Sequence, residues 1–329
     1  MISVLISVSD RLVSIWLLVY YNHLMIYILG PTSSGKTSLA LKVCKKFNKE
    51  IVSADSRQIY KDFDVGTGKL PLASAGVFVE KNSGYWVLDG IKIHMYDVCD
   101  ANNLYTVSDY LNDTKNLIGE DKIIVGGTGL YIDNLLGLKK PSPVPPNIKL
   151  RFDLEKKSPV DLRLMLPKEI LDSMNQSDIN NPRRLIRKIE VLKYESENSS
   201  TNKKREIFDN PKSSEIPYVI VLDIPREELF NRIDLWVDTI WNPLLEEAKN
   251  LVSLGYEDSF SMNGIIYKTV LGFIRQKISK HDAVRTIKND LHAYIRRQQT
   301  WFKTYTQDYV HRFDSSDKAF SFIESILAN

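Results

Sequence analysis

Residues 30–37 read Gly30-Pro31-Thr32-Ser33-Ser34-Gly35-Lys36-Thr37, and this stretch decides the fold. It fits the pattern G-x-x-x-x-G-K-[ST], whose glycines let backbone N–H groups turn inward around a phosphate. The apolar run Met25 to Leu29 before it predicts a buried strand, and the residues from Ser38 to Phe47 after it have helical spacing. A strand, a glycine-rich turn and a helix in this order predict a phosphate-binding loop, called here the phosphate loop.

Each part of the phosphate loop suits a diphosphate-like group. The N-terminus of the following helix carries partial positive charge. Lys36 neutralises a terminal phosphate, and the Thr37 hydroxyl is a ligand that Mg²⁺ accepts. The predicted diphosphate site is the whole loop, namely Gly30, Pro31, Thr32, Ser33, Ser34, Gly35, Lys36 and Thr37. A chance match within a glycine–serine turn is the alternative, which the flanking strand and helix disfavour.

Further apolar patterns predict strands that alternate with helices. The strands are expected at 50–53, 91–98, 122–125 and 218–224, and the helices at 107–118, 226–254 and 282–305. This alternation predicts an α/β fold of the P-loop NTPase type, with a parallel sheet flanked by helices on both faces. The strand at 122–125 ends in glycines, without the carboxylate that ATP-hydrolysing enzymes place there, so a motor or a kinase is disfavoured.

The proline-rich segment Pro141 to Pro146 interrupts this alternation, and a mostly helical stretch follows it. We therefore predict a smaller, mostly helical inserted domain within the α/β core. The expected divisions are an N-terminal extension outside the fold at 1–24, the first part of the core at 25–140, the insertion at 141–210, and the core completion with basic C-terminal helices at 211–329.

Composition excludes several classes of protein. The net charge of +3 is too small to attract nucleic acid globally, so any RNA site must come from local clusters of Lys and Arg. Cys44 and Cys99 lack partners at metal-binding spacing, which argues against zinc and fits a reducing cytoplasm. The apolar stretch Val13 to Leu24 is short for a bilayer span and no small-residue cleavage site follows it, so a signal peptide or an anchor is a disfavoured alternative and no membrane association is expected.

Asp55 is the candidate for acid–base chemistry. It follows the predicted strand at 50–53, and ligands of open parallel sheets bind beyond the carboxyl ends of the strands. Asp55 should therefore lie near the phosphate loop, where it could act as a base or hold Mg²⁺ through water. Capping of a helix by Asp55 or Ser56 is an equally open alternative at this point.

Two helices carry basic residues at helical spacing. Asn181-Pro182 is a favourable helix start, after which Arg183 and Arg187 share one face. The second of these helices, near the C-terminus, carries a stripe of basic residues with no acidic residues among them, and we expect this stripe to contact RNA phosphates. An apolar stripe of Val284, Ile287, Leu291 and Ile295 is expected on the opposite face. The basic stripe comprises Arg285, Lys288, His292, Arg296, Gln299 and Lys303. An ordinary solvated helix face is the alternative in both places.

The phosphate loop is one of several motifs that occur in a family order. Ser53-Ala54-Asp55-Ser56-Arg57-Gln58-Ile59-Tyr60 and Asp64-Val65-Gly66-Thr67-Gly68-Lys69 follow it, and the chain resembles the tRNA dimethylallyltransferase family in these segments. Three later stretches also resemble that family, namely Gly126-Gly127-Thr128-Gly129-Leu130-Tyr131, Asn181 to Arg187 and Arg296 to Lys303. The resemblance extends over roughly residues 25–305.

The resemblance implies an activity. Members transfer a dimethylallyl group from dimethylallyl diphosphate to N6 of the adenosine next to the anticodon, with Mg²⁺ as cofactor and the tRNA anticodon arm as partner. Asp55 would be the base, assisted by Thr32 and Lys36, with Mg²⁺ on Thr37. The implied tRNA contacts are Asp55, Ser56, Arg57, Gln58, Thr128, Arg183, Arg184, Arg187, Lys268, Arg296, Arg297, Gln298, Trp301 and Lys303. A cytoplasmic monomer is expected.

One segment departs from the family pattern. Residues 263–268 read Asn263-Gly264-Ile265-Ile266-Tyr267-Lys268, where the family has arginine at the first position and glycine at the fourth. If that arginine contacts the diphosphate, this chain needs a substitute, and Lys268 and Arg275 are the candidates.

Three other functions remain open from the sequence. An adenylate isopentenyltransferase would share the core but would need no grip on an anticodon arm. A small-molecule P-loop kinase would need lid arginines and a later acid. A non-catalytic RNA-binding protein would retain the basic helices without transfer.

Overall fold

The computed structural model describes residues 24–70, 78–198 and 217–328 of the chain. The chain divides into two compact units, a larger one of Met1–Lys139 with Lys212–Asn329 and an insertion unit of Lys140–Pro211. The extension expected at 1–24 lies outside the described residues except for Leu24, which packs partly against the core of the larger unit.

The described part of the larger unit contains one eight-stranded sheet. Its strands are β1 (Ile26–Leu29), β2 (Glu50–Ser53), β3 (Val79–Asn82), β4 (Gly84–Leu88), β5 (Ile91–Tyr96), β6 (Lys122–Gly126), β7 (Tyr218–Leu222) and β8 (Val310–Phe313). They lie in the order β3-β4-β5-β2-β6-β1-β7-β8, and the six from β5 to β8 in that order are parallel. The predicted parallel sheet is thus confirmed.

Strand β1 lies in the middle of this sheet and is buried on both faces. Its residues alternate between two hydrophobic cores, with Ile26 and Ile28 in one and Tyr27 and Leu29 in the other. Leu29 is in register with Gly126 of β6 on one side and Val221 of β7 on the other. The phosphate loop therefore leaves the sheet at the middle of its carboxyl edge.

The edge of the sheet farthest from β8 is formed by antiparallel strands joined by a hairpin turn. Strands β3, β4 and β5 pair antiparallel, and Asp89 and Gly90 turn the chain with φ of 51° and 79°. The apolar patterns of the sequence predicted a strand at β5, but not β3 and β4. Strand β3 is polar and has no fully buried residue, so it lacks the apolar run by which the other strands are recognised.

Helices cover both faces of the sheet and form the insertion unit. In chain order they are α1 (Lys36–Phe47), α2 (Val107–Thr114), α3 (Gly129–Leu135), α4 (Ile148–Leu154), α5 (Pro159–Leu164), α6 (Lys168–Asp172), α7 (Gln176–Ile179), α8 (Pro182–Glu197), α9 (Arg226–Ser253), α10 (Ile265–Ile274), α11 (Lys280–Lys303) and α12 (Ser316–Leu327). The predicted long helices match α9 and α11 closely. None of the described helices is long and apolar enough to cross a membrane.

Helices α4 to α8 build the insertion unit around a small core of its own, and α8 contributes Leu185, Ile186 and Ile189. Glu190 of α8 is almost fully buried and binds Arg151 at 2.7 Å, the backbone N–H of Asn147, and Arg187. These contacts hold the pKa of Glu190 below its usual range, although burial acts in the other direction. A buried carboxylate shared by two arginines thus supports this unit.

A stability prediction follows from Gly126 at the end of β6. A Cβ atom there would overlap the carbonyl group of Ala54, which accepts the N–H of Thr128. Gly126→Ala should therefore lower the free energy of unfolding by about 1–3 kcal/mol. Gly119→Ala is the control, since its Cβ would meet only the side-chain end of Asp121, at 3.2 Å. Equal midpoints for both variants in urea denaturation would contradict the prediction.

Candidate active site

The backbone of the phosphate loop is curled in a way that glycine permits. Gly35 has a φ of 88°, and Ser33 also lies in the left-handed region with a φ of 64°. A Cβ atom on Gly30 would approach Ser34 Oγ to 2.7 Å and the carbonyl oxygen of Leu222 to 3.1 Å. Only glycine fits between the loop and β7, so the loop can close around an anion.

Lys36 is the cation of this loop. It begins α1, and its Nζ donates to the carbonyl oxygen of Pro31 at 3.2 Å, across the loop. Burial lowers the pKa of Lys36 below its usual value, and the nearby negative charge of Asp55 offsets part of this effect. The ammonium group is thus held where a phosphate would bind, with a carboxylate close enough to influence it.

Gln298 of α11 supports the phosphate loop through hydrogen bonds to the backbone. Its Oε1 accepts the backbone N–H of Thr32 at 2.9 Å, and its Nε2 donates to the carbonyl oxygen of Gly127 at 3.0 Å. The side chain is only 4% exposed. One buried amide therefore joins the phosphate loop to the glycine turn that follows β6.

Asp55 lies at the carboxyl edge of β2, beside the phosphate loop. Its Oδ1 accepts the backbone N–H of Arg57 at 2.9 Å, and within the described chain no hydrogen bond engages Oδ2. No helix begins at Asp55 in the described residues, which form turns here. The alternative that Asp55 caps a helix is therefore wrong, and one carboxylate oxygen is available to a ligand.

The residues after Asp55 are tied to neighbouring segments. The Thr128 hydroxyl accepts the N–H of Ser56 at 3.0 Å, so the ends of β2 and β6 are joined. Gln58 is buried, and its amide binds Ser53 Oγ and the carbonyl oxygen of Gly68. These bonds fix the position of the Asp55 turn relative to the strands.

A cavity of about 580 Å³ opens between the phosphate loop and the facing helices. It is lined on one side by Thr32, Lys36, Thr37 and Asp55, and on the other by residues of α9 to α11 that include Arg232, Trp236, Ile265 and Tyr294. Arg232 of α9 reaches across and donates from Nη1 to the carbonyl oxygen of Ser33 at 3.3 Å. The cavity thus combines a cationic end at the loop with an aromatic and aliphatic wall.

Gly66, Thr67 and Gly68 also line the cavity, and the segment 64–69 to which they belong is held by several hydrogen bonds. Glu247 of α9 accepts three successive backbone N–H groups, those of Asp64, Val65 and Gly66. Tyr267 also donates to Glu247 at 2.6 Å, and burial raises the pKa of Tyr267 well above its usual value, so it remains a donor. This segment is therefore a fixed surface.

The chain is similar in sequence to known proteins over most of its length. Residues 58–305 match the family model described as IPP transferase, and residues 23–78 match that described as isopentenyl transferase. The chain belongs to the IPP transferase family. A tRNA dimethylallyltransferase of Clostridioides difficile is 34% identical over 296 residues, covering 85% of this chain and 89% of the relative. That of Acetivibrio thermocellus is 32% identical over 319 residues, covering 92% and 97%.

A solved structure is similar over almost the same extent. The full-length tRNA isopentenylpyrophosphate transferase from Bacillus halodurans has a TM-score of 0.62 and 26% identity, covering 93% of this chain and 97% of that one. The α/β core around a phosphate loop is therefore an IPP transferase fold.

The predicted basic stripe on α11 is largely neutralised in this IPP transferase. Lys288 binds Asp238 at 2.8 Å and His292 binds Asp234 at 2.8 Å, both on α9, while Gln299 is buried. The expectation of a continuous phosphate track along α11 is therefore wrong. The apolar stripe is confirmed, because Ile287, Leu291 and Ile295 are buried and Val284 packs partly on the same core.

Two residues implied as tRNA contacts turn inward. Gln298 supports the phosphate loop, as described, and Trp301 donates from Nε1 to Asp133 at 3.1 Å while packing on Gly129. Gln298 is thus buried in the support of the loop rather than exposed to RNA, whereas Trp301 is half-buried and its contact with RNA stays a prediction. Thr128 lies outside the cavity lining in the described chain and serves the Ser56 contact instead. The exposed cations of this stretch are Arg296, Arg297 and Lys303.

The arginines of α8 have different surroundings within the insertion unit. Arg187 binds the buried Glu190 and the carbonyl oxygen of Val144, so its position is structural rather than on a free basic face. Arg184 forms an ion pair with Asp178. Arg183 is exposed, so it is the arginine of this group best placed for RNA.

The missing family arginine is not replaced by the expected residues. Asn263 is exposed and donates to the carbonyl oxygen of Ser259, and Arg275 pairs with Glu257 at 3.2 Å. Neither Arg275 nor Lys268 lines the cavity, whereas Arg232 does. No sequence pattern indicated Arg232, because its hydrogen bond to Ser33 joins residues that are distant in the chain.

A prediction on Gln298 tests the support of the phosphate loop. Gln298→Ala should raise the KM for the diphosphate donor about tenfold, because the partly buried Thr32 N–H of the loop loses its acceptor. Gln299→Ala is the control, since the adjacent buried Gln299 binds Arg226 and the carbonyl oxygen of Ile224 instead. Equal donor KM values for both variants in steady-state assays would show that Gln298 does not position the loop.

Proposed function

We propose that the protein transfers a dimethylallyl group from dimethylallyl diphosphate to N6 of the adenosine next to the anticodon of tRNA. The observation that carries this proposal is the cavity shared by Lys36 of the phosphate loop and the Asp55 carboxylate. A cationic cradle beside a carboxylate suits a reaction that releases diphosphate and takes a proton from an amine. The names of the similar proteins support tRNA as the acceptor.

The phosphate loop and Arg232 would hold the diphosphate as a leaving group. Backbone N–H groups of the loop and Lys36 stabilise the charge that develops on the departing oxygen. Mg²⁺ fits the residues present, since the Thr37 hydroxyl and the Asp55 carboxylate line one cavity, and Mg²⁺ commonly combines few protein oxygens with substrate phosphates and water. Bound there, the ion would supply further neutralisation of the diphosphate.

Asp55 would act on the acceptor. As the bond between N6 and the prenyl carbon forms, the carbon–oxygen bond to the diphosphate breaks and its electron pair leaves with the diphosphate. The N6 amine must lose a proton in this process, and Asp55 Oδ2 is the available acceptor. Ser56 and Arg57 follow in the same turn, also line the cavity, and could contact the purine.

The RNA would be held by exposed cations on the two units. Arg183 belongs to the insertion unit, and Arg296, Arg297, Lys303 and Lys268 belong to the larger one. Such side chains position a backbone without reading its sequence. The adenosine must leave the stacked anticodon arm to enter a cavity, as in other enzymes that modify a base. The protein would act as a monomer in the cytoplasm, whose reducing conditions suit the free thiols of Cys44 and Cys99.

The lowered pKa of Lys36 leads to a pH prediction. Bound diphosphate favours the protonated ammonium, so binding should raise the pKa of Lys36 and take up a proton wherever the free protein holds Lys36 partly deprotonated. The affinity for inorganic diphosphate should then fall as the pH rises through the pKa that Lys36 has in the protein without ligand. Titration calorimetry in two buffers of different ionisation enthalpy measures this uptake. Equal proton uptake by the wild type and Lys36→Met would contradict the assignment.

The choice of acceptor is tested directly. Purified protein is incubated with dimethylallyl diphosphate and Mg²⁺, with unmodified tRNA and AMP as parallel acceptors, and the products are identified by mass spectrometry. We expect prenylated adenosine in tRNA and little product from AMP. Preferred turnover of AMP would favour an adenylate isopentenyltransferase, and phosphate transfer from ATP would favour a kinase. Absence of transfer to any acceptor would favour an RNA-binding protein without catalysis.

A further inference from the structure

The cavity continues along helix α9 beyond Arg232 to Trp236, a lining residue that holding the diphosphate does not require. Helix α9 carries Arg232 and Trp236 four residues apart, so both project from one face, separated by a helical turn of about 5.4 Å. Arg232 contacts the phosphate loop through the carbonyl oxygen of Ser33. The Trp236 indole therefore lies about one turn from the phosphate end, where the hydrocarbon attached to a bound diphosphate would extend.

Trp236 is held in place on this wall. It is partly buried, packs against the main hydrophobic core and lines the cavity. Its ring also approaches Gly68, because a Cβ on Gly68 would lie 3.7 Å from Trp236 Cζ2. A side chain that packs against the hydrophobic core on one side and lies close to Gly68 on the other cannot easily move to make room for a larger ligand.

The opposing surface at Gly68 is equally fixed. Gly68 has a φ of 65°, and its carbonyl oxygen accepts from the buried Gln58 amide at 3.2 Å. The next residue, Lys69, is fully buried and binds Asp64 at 2.7 Å and Asp97 at 2.5 Å. Together with the Glu247 contacts, these bonds prevent the 64–69 segment from retreating.

We propose that Trp236, set against Gly68, limits the prenyl donor to five carbons by closing the apolar end of the cavity. This inference rests on the proposed function, because it names the feature that selects the donor of that reaction. Geranyl diphosphate presents the same diphosphate and the same reacting carbon but carries one further isoprene unit. Its extra carbons would meet the indole and the Gly68 backbone, both of which are fixed.

The test compares donors in variants of Trp236. Rates of transfer to unmodified tRNA are measured with dimethylallyl and geranyl diphosphate for the wild type, Trp236→Ala and Trp236→Phe. Trp236→Ala should raise the ratio of kcat/KM for geranyl over dimethylallyl diphosphate by about 10- to 200-fold. Trp236→Phe keeps an aromatic anchor on the core and should shift the ratio less, in the same direction. Thr239→Ala, on the exposed side of α9, is the control and should leave it unchanged.

Circular dichroism and thermal melting establish that each variant is folded. A donor ratio that stays at the wild-type value in folded Trp236→Ala or, if that variant does not fold, in Trp236→Phe overturns the proposal. Loss of transfer from both donors in a folded variant also overturns it, since Trp236 would then act on the reaction rather than on donor size. Failure of the proposed function is separate: the wild type would not use dimethylallyl diphosphate at all.

Discussion

Asp55→Asn should lower the kcat for dimethylallyl transfer by about 10²- to 10⁴-fold, the usual contribution of a positioned general base. Asparagine preserves the shape of the side chain and the bond from the Arg57 N–H to Oδ1. It cannot accept the N6 proton, however, so the C–N bond would have to form without a base. Single-turnover assays with saturating donor and tRNA would isolate this step from binding.

The control for Asp55 lies at the other edge of the sheet. Asp121 precedes β6 and pairs with Lys122 at the amino ends of the strands, away from the cavity. Asp121→Asn should leave kcat unchanged, and both variants should bind tRNA as the wild type does. A kcat for Asp55→Asn within a few-fold of the wild-type value would remove Asp55 from the mechanism.

Lys36→Met should lower kcat/KM for the donor by about 10²- to 10³-fold, because the leaving diphosphate loses its closest protein cation. Methionine retains much of the apolar length of lysine, so the loss should come from the charge rather than from packing. Steady-state kinetics with varied dimethylallyl diphosphate at fixed tRNA measure the effect.

Lys42 is the matched lysine on the same helix. It lies on the outer side of α1, where it makes a long ion pair with the exposed Asp317 at 3.7 Å. Lys42→Met should keep the wild-type kcat/KM. If both lysine variants lost activity equally, the defect would belong to α1 as a whole and the phosphate loop would not be the donor site.

Much of the core could be predicted because its signals are local. Tyr27 and its neighbours in β1 form a continuous apolar run, and the phosphate loop that follows has required residues at fixed spacing. The edge strands β3 and β8 could not be predicted in the same way. Both are short and have no fully buried residue, so they lack a distinctive apolar pattern.

Only the residues on the phosphate-loop side of the candidate site could be predicted from the sequence. Asp55 and Lys36 follow strands whose carboxyl ends must meet, so their proximity follows from the order of the strands. Arg232, Trp236 and Gln298 reach the site from helices late in the chain, and Gln298 is 266 residues from the Thr32 N–H that it binds. No local pattern specifies such contacts.

The basic stripe on α11 was predicted wrongly for a related reason, because local spacing does not reveal which residues of other helices pack against it. Lys288 and His292 satisfy the spacing of a phosphate track, but Asp234 and Asp238 on α9 neutralise them in the folded chain. Helical spacing indicates which residues share a face, not which element covers that face. Only the packing of α9 on α11 showed that Lys288 and His292 are partnered by acidic residues of α9.

The most direct test of the account is a crystal structure of the protein with Mg²⁺, a non-reactive thio analogue of dimethylallyl diphosphate and an anticodon stem-loop. We predict the diphosphate within the phosphate loop, in contact with Lys36, and an extruded adenine whose N6 lies about 3 Å from an Asp55 oxygen. A diphosphate bound elsewhere, or an Asp55 side chain directed away from N6 in that complex, would contradict it.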